Sequence, residues 1–403
     1  MEGACRAVNR LSSRVKMIKP SATMSVDAKT KALLREGKPV INMSVGEPDF
    51  NTPIPAAFAG ISAITNGFTK YTPAAGTLEL RKAICEKLSV ENGLTYTPEQ
   101  IVVSNGAKHS LYNVFMAICE EGDEVVLQAP YWVSYPEQIQ LTGALPVVVS
   151  CDESTGFKMT PAMLEAAITN KTKAVLLNSP CNPTGAVYSE SELRALGEVL
   201  VKHDVYIVTD EIYERLVYDG VSHISLPKLF PDLMSRTFVV NGFSKAFAMT
   251  GWRLGYVAGP ADAIKAISSF QSHGSGSPSA ISQAAGVTAL KSFDPSMVAE
   301  FKRRRNLLVS GLNELPGVTC AVPDGAFYAF PNISGVFGKQ YKGRQIQSAV
   351  DYAELLLEEQ LVAVVPGEAF GAPNNIRLSY ATSYENIEQA LIRMRTFNTS
   401  LSD

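Results

Sequence analysis

Lys245 stands among small and aromatic residues, with Gly242, Phe243, Ala246, Phe247 and Ala248 around it. Such surroundings disfavour an ammonium and lower its pKa toward that of a nucleophilic amine. Ser244 precedes the lysine, and Arg253 follows in Thr250-Gly251-Trp252-Arg253. Upstream, Asp210-Glu211-Ile212-Tyr213 offers a carboxylate and a phenol, and Ser179-Pro180-Cys181-Asn182-Pro183-Thr184-Gly185 offers an amide. Ser104-Asn105-Gly106-Ala107-Lys108 opens a helical pattern with small residues, and the free N–H groups of such a start bind anions. Pro130-Tyr131-Trp132 adds an aromatic face. Each group alone has an ordinary explanation: a lysine after a strand is usually solvated, Asp210 can cap a turn, and Trp132 can be core.

What joins them is the element that precedes each. Between about residues 100 and 260 short apolar, β-branched runs alternate with helix-period segments. The strand candidates are Ile101–Val103, Glu124–Gln128, Leu145–Ser150, Lys173–Asn178, Val205–Thr209, Thr237–Val240 and Gly255–Ala258, with helices such as Ala107–Cys119 and Ser191–Val201 between them. This alternation predicts an α/β fold with a largely parallel sheet, several strands being buried on both faces. Ligands of open α/β sheets bind beyond the carboxyl ends of the strands. Five such ends supply the helix start, the aromatic, the amide, the acid with the phenol, and the lysine with the arginine. That set meets the needs of pyridoxal phosphate. Lys245 can hold the cofactor covalently, and Asp210 can keep the pyridine nitrogen protonated. Tyr213 and Asn182 can donate to the ring O3′, and Trp132 can stack on the ring. Gly106, Ala107 and Lys108, aided by Ser244 and Arg253, suit the phosphate.

After about residue 295 the pattern changes. A charged helix at Glu300–Leu312 carries the run Lys302-Arg303-Arg304-Arg305, read most simply as a solvated face. Strand candidates come next at Ala326–Phe330, Val362–Val365 and Ile376–Tyr380, then a helix at Tyr384–Met394, so this region reads as a smaller α+β domain. Ser272–Ser279 reads as a Gly/Ser loop. The expected division is a large domain at 48–295 and a small one built from 1–47 plus 296–403.

Composition bounds the partners. The 403 residues carry 36 basic and 39 acidic side chains, a net charge of −3 that gives no support for capture of nucleic acid or an anionic membrane surface. No stretch approaches the roughly 18 uninterrupted apolar residues of a membrane-spanning helix. The four histidines are scattered and fall in no metal-ligand spacing, so none is expected to bind metal and His109 and His223 are read as structural. The six cysteines, Cys5, Cys85, Cys119, Cys151, Cys181 and Cys320, form no C-x-x-C pair and suggest a reducing compartment. The first residues are basic (Arg6, Arg10, Arg14, Lys16, Lys19 against Glu2) without an apolar run behind them. That excludes a secretory signal and leaves a solvated arm or the tail of a transit peptide.

The lysine, aspartate and asparagine motifs quoted above, the first extending as Ser244-Lys245-Ala246-Phe247-Ala248-Met249-Thr250-Gly251-Trp252-Arg253-Leu254-Gly255-Tyr256, are similar to those of fold-type I pyridoxal phosphate aminotransferases. Within that family the chain resembles the subgroup 1β aspartate aminotransferases and the plant and algal prephenate aminotransferases, from about Ser12 to the C-terminal helix. The resemblance implies Lys245 as the covalent anchor and proton shuttle, Asp210 on the pyridine nitrogen, and Tyr213 and Asn182 on O3′. It further implies Arg377, in Asn375-Ile376-Arg377-Leu378-Ser379-Tyr380, as the clamp on the substrate α-carboxylate, a bidentate role that suits a guanidinium. Gly46, in Val45-Gly46-Glu47-Pro48-Asp49-Phe50, would offer backbone to the same carboxylate, and Tyr71 would reach the phosphate of a neighbouring subunit in a homodimer with composite active sites. The resemblance to plant and algal enzymes favours a plastid over the cytoplasm.

Two departures bear on specificity. Gly242 stands where some relatives carry a phosphate-binding serine. Ser268–Gln283 contains no basic residue but His273, so the arginine that grips a distal carboxylate in animal-type enzymes has no counterpart. In the 1β and prephenate enzymes a lysine and an N-terminal threonine take that role, matching Lys108 and Thr23 here, although a solvated lysine and a loop threonine are common. The pair favours aspartate, glutamate, oxaloacetate and 2-oxoglutarate and admits prephenate. The rival readings are an aminotransferase for alanine, kynurenine or aromatic amino acids, and a lyase of the same fold.

Overall fold

The computed structural model describes residues 11–20 and 22–403. Cys5, Arg6, Arg10 and Ser21 lie outside the described residues. Seven strands form the main sheet: β1 (Ile101–Ser104), β2 (Glu124–Ala129), β3 (Leu145–Ser150), β4 (Thr172–Asn178), β5 (Tyr206–Asp210), β6 (Thr237–Gly242) and β7 (Gly255–Ala258). Their order is β1-β7-β6-β5-β4-β2-β3, and only β7 runs against its neighbours. The expected α/β sheet is therefore present. Alternate side chains serve opposite faces: Val125, Leu127, Ala174 and Leu176 enter one apolar cluster, Val126, Val175 and Leu177 the other. The edge strand β3 differs, leaving Leu145 and Val148 exposed.

Strand direction gathers the chemistry. β5 ends on Asp210 itself, and β6 runs on to Gly242, three residues short of Lys245. Because β7 is antiparallel, its start, not its end, lies at this edge, with Gly255 opposite both Ser104 and Gly242. Arg253 is thereby delivered beside the lysine. β1 is locked by the buried Gln271 of helix Ala261–Gly274, whose Oε1 accepts from Ser104 Oγ (2.7 Å) and Asn113 Nδ2 (2.9 Å) while its Nε2 donates to the carbonyls of Val103 (2.8 Å) and Ala74 (2.6 Å). This helix runs to Gly274, so the stretch read as a loop over 272–279 is confined to 275–279.

A second core joins Ile41 and Met43 to Phe301, Leu308, Tyr352, Leu356, Met394 and Phe397. It covers a three-stranded antiparallel sheet of Val365–Pro366, Ile376–Ser379 and Tyr328–Ala329, with Ile41–Asn42 pairing parallel to Val362–Ala363. Its long helices are Ser296–Asn313, Ala349–Gln360 and Tyr384–Thr399.

The run Lys302–Arg305 is not a solvated face. Four consecutive helical residues spread over most of the circumference, so part of the run must point inward. Arg304 and Arg305 are 7% and 2% exposed. Arg304 pairs with Asp49 (2.7 Å) and Glu300 (2.9 Å), and Arg305 with Asp219 (2.5 Å) and the Pro323 carbonyl (3.0 Å). Lys302 and Arg303 are the exposed members. We expect Arg305→Ala to lower the unfolding free energy by about 2 kcal/mol, since it leaves a buried carbonyl unpaired and a void. Arg303→Ala should leave the urea midpoint unchanged, and equal effects of the two would contradict this burial.

Candidate active site

A cavity of about 530 Å³ opens at the carboxyl edge of the main sheet, between it and the second core. Lys245 and Asp210 face it from the strand ends, Arg377 from the small sheet, and Thr23 from helix Ala22–Arg35. Most of the residues singled out from the sequence meet here, including Gly46, Ala107, Lys108, Trp132, Asn182, Tyr213, Ser244 and Arg253. Gly106 does not line the cavity but caps the helix that does. Tyr71 lies outside it, fully exposed.

Asp210 is buried and its position is determined by a residue that the sequence did not reveal. Its Oδ2 accepts from Tyr135 Oη (2.7 Å) and its Oδ1 from the Ile212 amide (3.2 Å). Burial pushes the carboxyl up to about 6, against the pull of those two hydrogen bonds. Asn178, also missed, bonds the Asp210 carbonyl with Nδ2 (2.9 Å) and accepts the Asn182 amide with Oδ1 (3.0 Å), tying the two loops together. Tyr328 and Asn178 lie in apolar stretches, where an aromatic or amide reads as core, and Tyr135 opens the polar helix Ser134–Leu141, far along the chain from Asp210.

Lys245 donates to the Gly46 carbonyl. Burial first, then the Arg377 charge, lowers its amine to about 7, with Glu47 and Asp210 acting in the other direction. Its Nζ also lies 5.7 Å from the Tyr213 ring centre and 5.5 Å from that of Phe327. Tyr213 and Tyr328 meet hydroxyl to hydroxyl at 2.8 Å, and burial holds the Tyr213 phenol well above its usual value. A side chain on Gly46 would collide with Tyr328 Oη at 2.7 Å, so this backbone can approach the lysine only as glycine.

Arg377 is 2% exposed, and its partners are neutral oxygens: Asn182 Oδ1 (3.0 Å) and the Ser44 carbonyl (2.7 Å). Its Nε has no partner among the described residues, and its guanidinium lies 4.5 Å from the Tyr328 ring centre. A buried cation so arranged lacks an anion. At the other wall Lys108 sits 4.9 Å over the Trp132 ring, its pKa lowered by partial burial and by Arg253. Thr23, Asp27, Lys31 and Leu34 line the mouth from one face of their helix, with Asp27 and Lys31 paired at 2.7 Å.

The residues present fit pyridoxal phosphate. A carboxylate stands at the strand end, an amine of depressed pKa beside it, and an anion cradle at the start of helix Ala107–Ile118. The cradle depends on two glycines. A Cβ on Gly255 would lie 2.3 Å from the Ala107 nitrogen, and Gly106 adopts φ +86° with Arg253 packed against it. Arg253 itself takes φ +51° and is held by the carbonyls of Thr250 (2.9 Å) and Asn105 (3.3 Å). The absent serine at Gly242 has a steric reason, because a Cβ there would meet Gly255 Cα at 2.9 Å. Cofactor capture should follow the Lys245 amine. Reconstitution of cofactor-free protein, followed by visible absorbance, should accelerate as pH rises through about 7 and then level off. A rate still climbing toward pH 10 would mean an unperturbed lysine.

Residues 38–394 match the family model for class I and II aminotransferases. The aspartate aminotransferase of Geobacillus stearothermophilus is 46% identical over 391 residues, covering 96% of this chain and 98% of the relative. A bifunctional aspartate aminotransferase and glutamate/aspartate-prephenate aminotransferase of Petunia hybrida is 45% identical over 393 residues, covering 96% and 82%. The crystal structure of the aspartate aminotransferase from Rhizobium meliloti superposes with a TM-score of 0.95 at 47% identity, over 98% of this chain and all of that one. The chain belongs to the class I and II aminotransferases, pyridoxal phosphate enzymes of fold type I.

Proposed function

We propose that the enzyme transfers the amino group of aspartate or glutamate to 2-oxoglutarate, oxaloacetate or prephenate, the last giving arogenate. The observation that carries this reading is a pair of cations lining one cavity from different elements, Arg377 from the small sheet with only neutral oxygens as partners among the described residues, and Lys108 from the start of helix Ala107–Ile118 over Trp132. Such a pair suits a substrate with two carboxylates. The relatives named as aspartate and prephenate aminotransferases support the same choice.

In this reading Arg377 and the Gly46 backbone orient the α-carboxylate, and Lys108 with Thr23 takes the distal one. When bound, pyridoxal phosphate supplies an electron sink for the charge that develops at the substrate α-carbon. Lys245 Nζ, neutral above about pH 7, accepts the α-proton. Asp210 holds the proton of the pyridine nitrogen, kept in place by Tyr135. Tyr213 and Asn182 donate to O3′, Trp132 covers the ring, and Ser244, Arg253 and the amides of 106–108 hold the phosphate.

Tyr71 is assigned to the phosphate of a second copy in a homodimer. Support comes from its full exposure and from the exposed apolar face of the nearby helix Ile54–Thr65, with Ile54, Phe58, Ile61 and Ile64. The division into a large domain at 48–295 and a small one from both chain ends is supported by the second core, which draws Ile41 and Met43 to residues beyond 296. No described helix is long and apolar enough to cross a membrane. A plastid location rests on the plant resemblance and on the basic N-terminal stretch, of which Arg14, Lys16 and Lys19 are described residues.

Lys245→Ala should abolish transamination while retaining noncovalent cofactor, and wild-type turnover in this variant would refute the assignment. Lys108→Met should raise KM for aspartate, 2-oxoglutarate and prephenate by about tenfold or more and change pyruvate little. Equal losses on mono- and dicarboxylates, measured in one donor–acceptor panel, would remove Lys108 from the specificity argument. Sedimentation should show a dimer at micromolar concentration.

A further inference from the structure

Behind the site, on the far side of the segment that carries Asp210 and Tyr213, lies a second group of charges. Asp210 and Tyr213 face the cavity, whereas Glu211 and Glu214 turn away from it into the protein. Glu211 Oε2 accepts from Ser225 Oγ (2.6 Å) and contacts His223 Nε2 (2.9 Å). Glu214 pairs with the ammonium of Lys87, which also donates to Asn92 Oδ1 (2.8 Å), while Asn92 Nδ2 donates to Glu214 Oε2 (2.9 Å) and Ser225 Oγ (3.2 Å). Every side chain in the group is nine-tenths or more buried, from Lys87 and Glu211 at 3% exposure to Glu214 at 9%.

Three of these groups have the donor types of a cation site, with their ligand atoms within 4.8 Å of one another, but the Lys87 ammonium already sits on Glu214. The chemistry is that of a closed charge cluster. Two carboxylates face one permanent cation and one histidine, so the group is neutral only when His223 carries its proton. Burial opposes that proton, yet Glu211 and Glu214 outweigh it and raise the His223 pKa above its ordinary value. Burial also opposes the charge on Glu214, and Lys87 with His223 holds it down to about 2. The other charged and titratable groups that bear on the cluster are Tyr96 and Tyr256, both kept neutral by burial, the Arg215–Glu91 pair beside Tyr256, and Asp210 on the same segment. His223 Nδ1 has no partner among the described residues, so the ring is fixed through Nε2 and Glu211.

We propose that Glu211, His223, Glu214 and Lys87 are positioning residues of the aminotransferase, a neutral buried cluster that clamps the Asp210–Glu214 segment from behind and sets the charge felt at Asp210. The proposal rests on the roles assigned above to Asp210 and Tyr213. An unbalanced charge here acts through a few ångströms of low-dielectric interior and therefore reaches the groups in front. His223→Gln leaves two carboxylates against one ammonium, and an extra negative charge makes nearby protons harder to remove. Glu211→Gln removes the support that holds the His223 proton against burial, so the carboxylate and the proton are lost together and the cluster stays neutral.

The test is a double-mutant cycle on the holoenzyme, read by the pH midpoint of the bound cofactor's visible absorbance and by kcat and KM. His223→Gln should move the midpoint up by about one pH unit and lower kcat roughly tenfold with KM within about twofold, whereas Glu211→Gln, which sheds the His223 proton with its own charge, should stay within about 0.3 of the parent. The double variant E211Q/H223Q keeps the neutral Lys87–Glu214 pair and should return the midpoint to within about 0.3 of the parent, with most of kcat restored. An unmoved midpoint in His223→Gln, or a double variant displaced as far as His223→Gln alone, would overturn the proposal. Should the single variants fail to fold, a soluble double variant with the parental midpoint supports charge balance, and a double variant as unstable as the singles refutes it. Asp210→Asn in the same titration separates the two claims. If it leaves spectrum and turnover intact, the reading of Asp210 fails, whatever the cycle shows.

Discussion

An ammonium is costly to take even partly out of water, and Lys245 is half-buried with its amine depressed to about 7. The site can be understood as the set of conditions under which that lysine stays inside and stays useful. It lies three residues beyond the end of a strand buried on both faces, so its backbone is fixed while its amine reaches the cavity. Arg377 nearby presses it toward neutrality, and the aromatic faces of Tyr213 and Phe327 tolerate whichever form it takes. Among the described residues neither cation has a carboxylate bonded to it. That balance leaves the anionic part of the site to be completed by whatever binds there.

Sheet topology makes the arrangement possible with few long-range elements. Parallel strands place their ends on one edge, and the single reversal at β7 brings Arg253 back to that edge within one short excursion from Lys245. The close approach of Gly242, Gly255 and Gly106 then seats the start of helix Ala107–Ile118 directly on the strand ends. Behind this front, buried polar groups do the fastening: Gln271 holds β1, Asn178 joins two loops, and the Glu211–His223 cluster backs β5. Each makes several hydrogen bonds, as buried polar groups must, with His223 Nδ1 the one atom left without a partner among the described residues.

Much of this was legible in the sequence for a physical reason. Strands buried on both faces must be nearly all apolar, so β4 and β6 announce themselves, and the loops leaving parallel strands must share one edge. Strand boundaries in the main sheet moved by a residue or two, which placed Asp210 inside β5 rather than after it, while the helices expected at Glu300–Leu312 and Tyr384–Met394 extend to Ser296–Asn313 and Tyr384–Thr399. Partners distant in sequence were not legible. The arginine run looks solvated because Asp49 and Asp219 lie far from it along the chain, and a local reading sees charge without its counter-charge. Tyr135 and Tyr328 were missed because a phenol looks like any packing aromatic until its hydroxyl and its distant partner are located. Helix Ala22–Arg35 escaped notice for the opposite reason, being too polar to show an inward face, although resemblance singles out Thr23 within it.

The peripheral position of that helix separates two jobs physically. Lys245, Asp210 and Arg253 sit on strand ends woven into the main sheet, where almost any substitution disturbs a core. Thr23, Asp27, Lys31 and Leu34 sit on a helix that lines the site with this face, rests on Val40, Leu357 and Ala363 through Val26 and Leu33, and leaves the rest of its surface to solvent. Selection can therefore rewrite what the enzyme admits by small changes to an outlying wall, while the machinery that handles the proton remains untouched. A scaffold divided in this way is suited to gene duplication, since one copy can acquire a new substrate without first losing its chemistry.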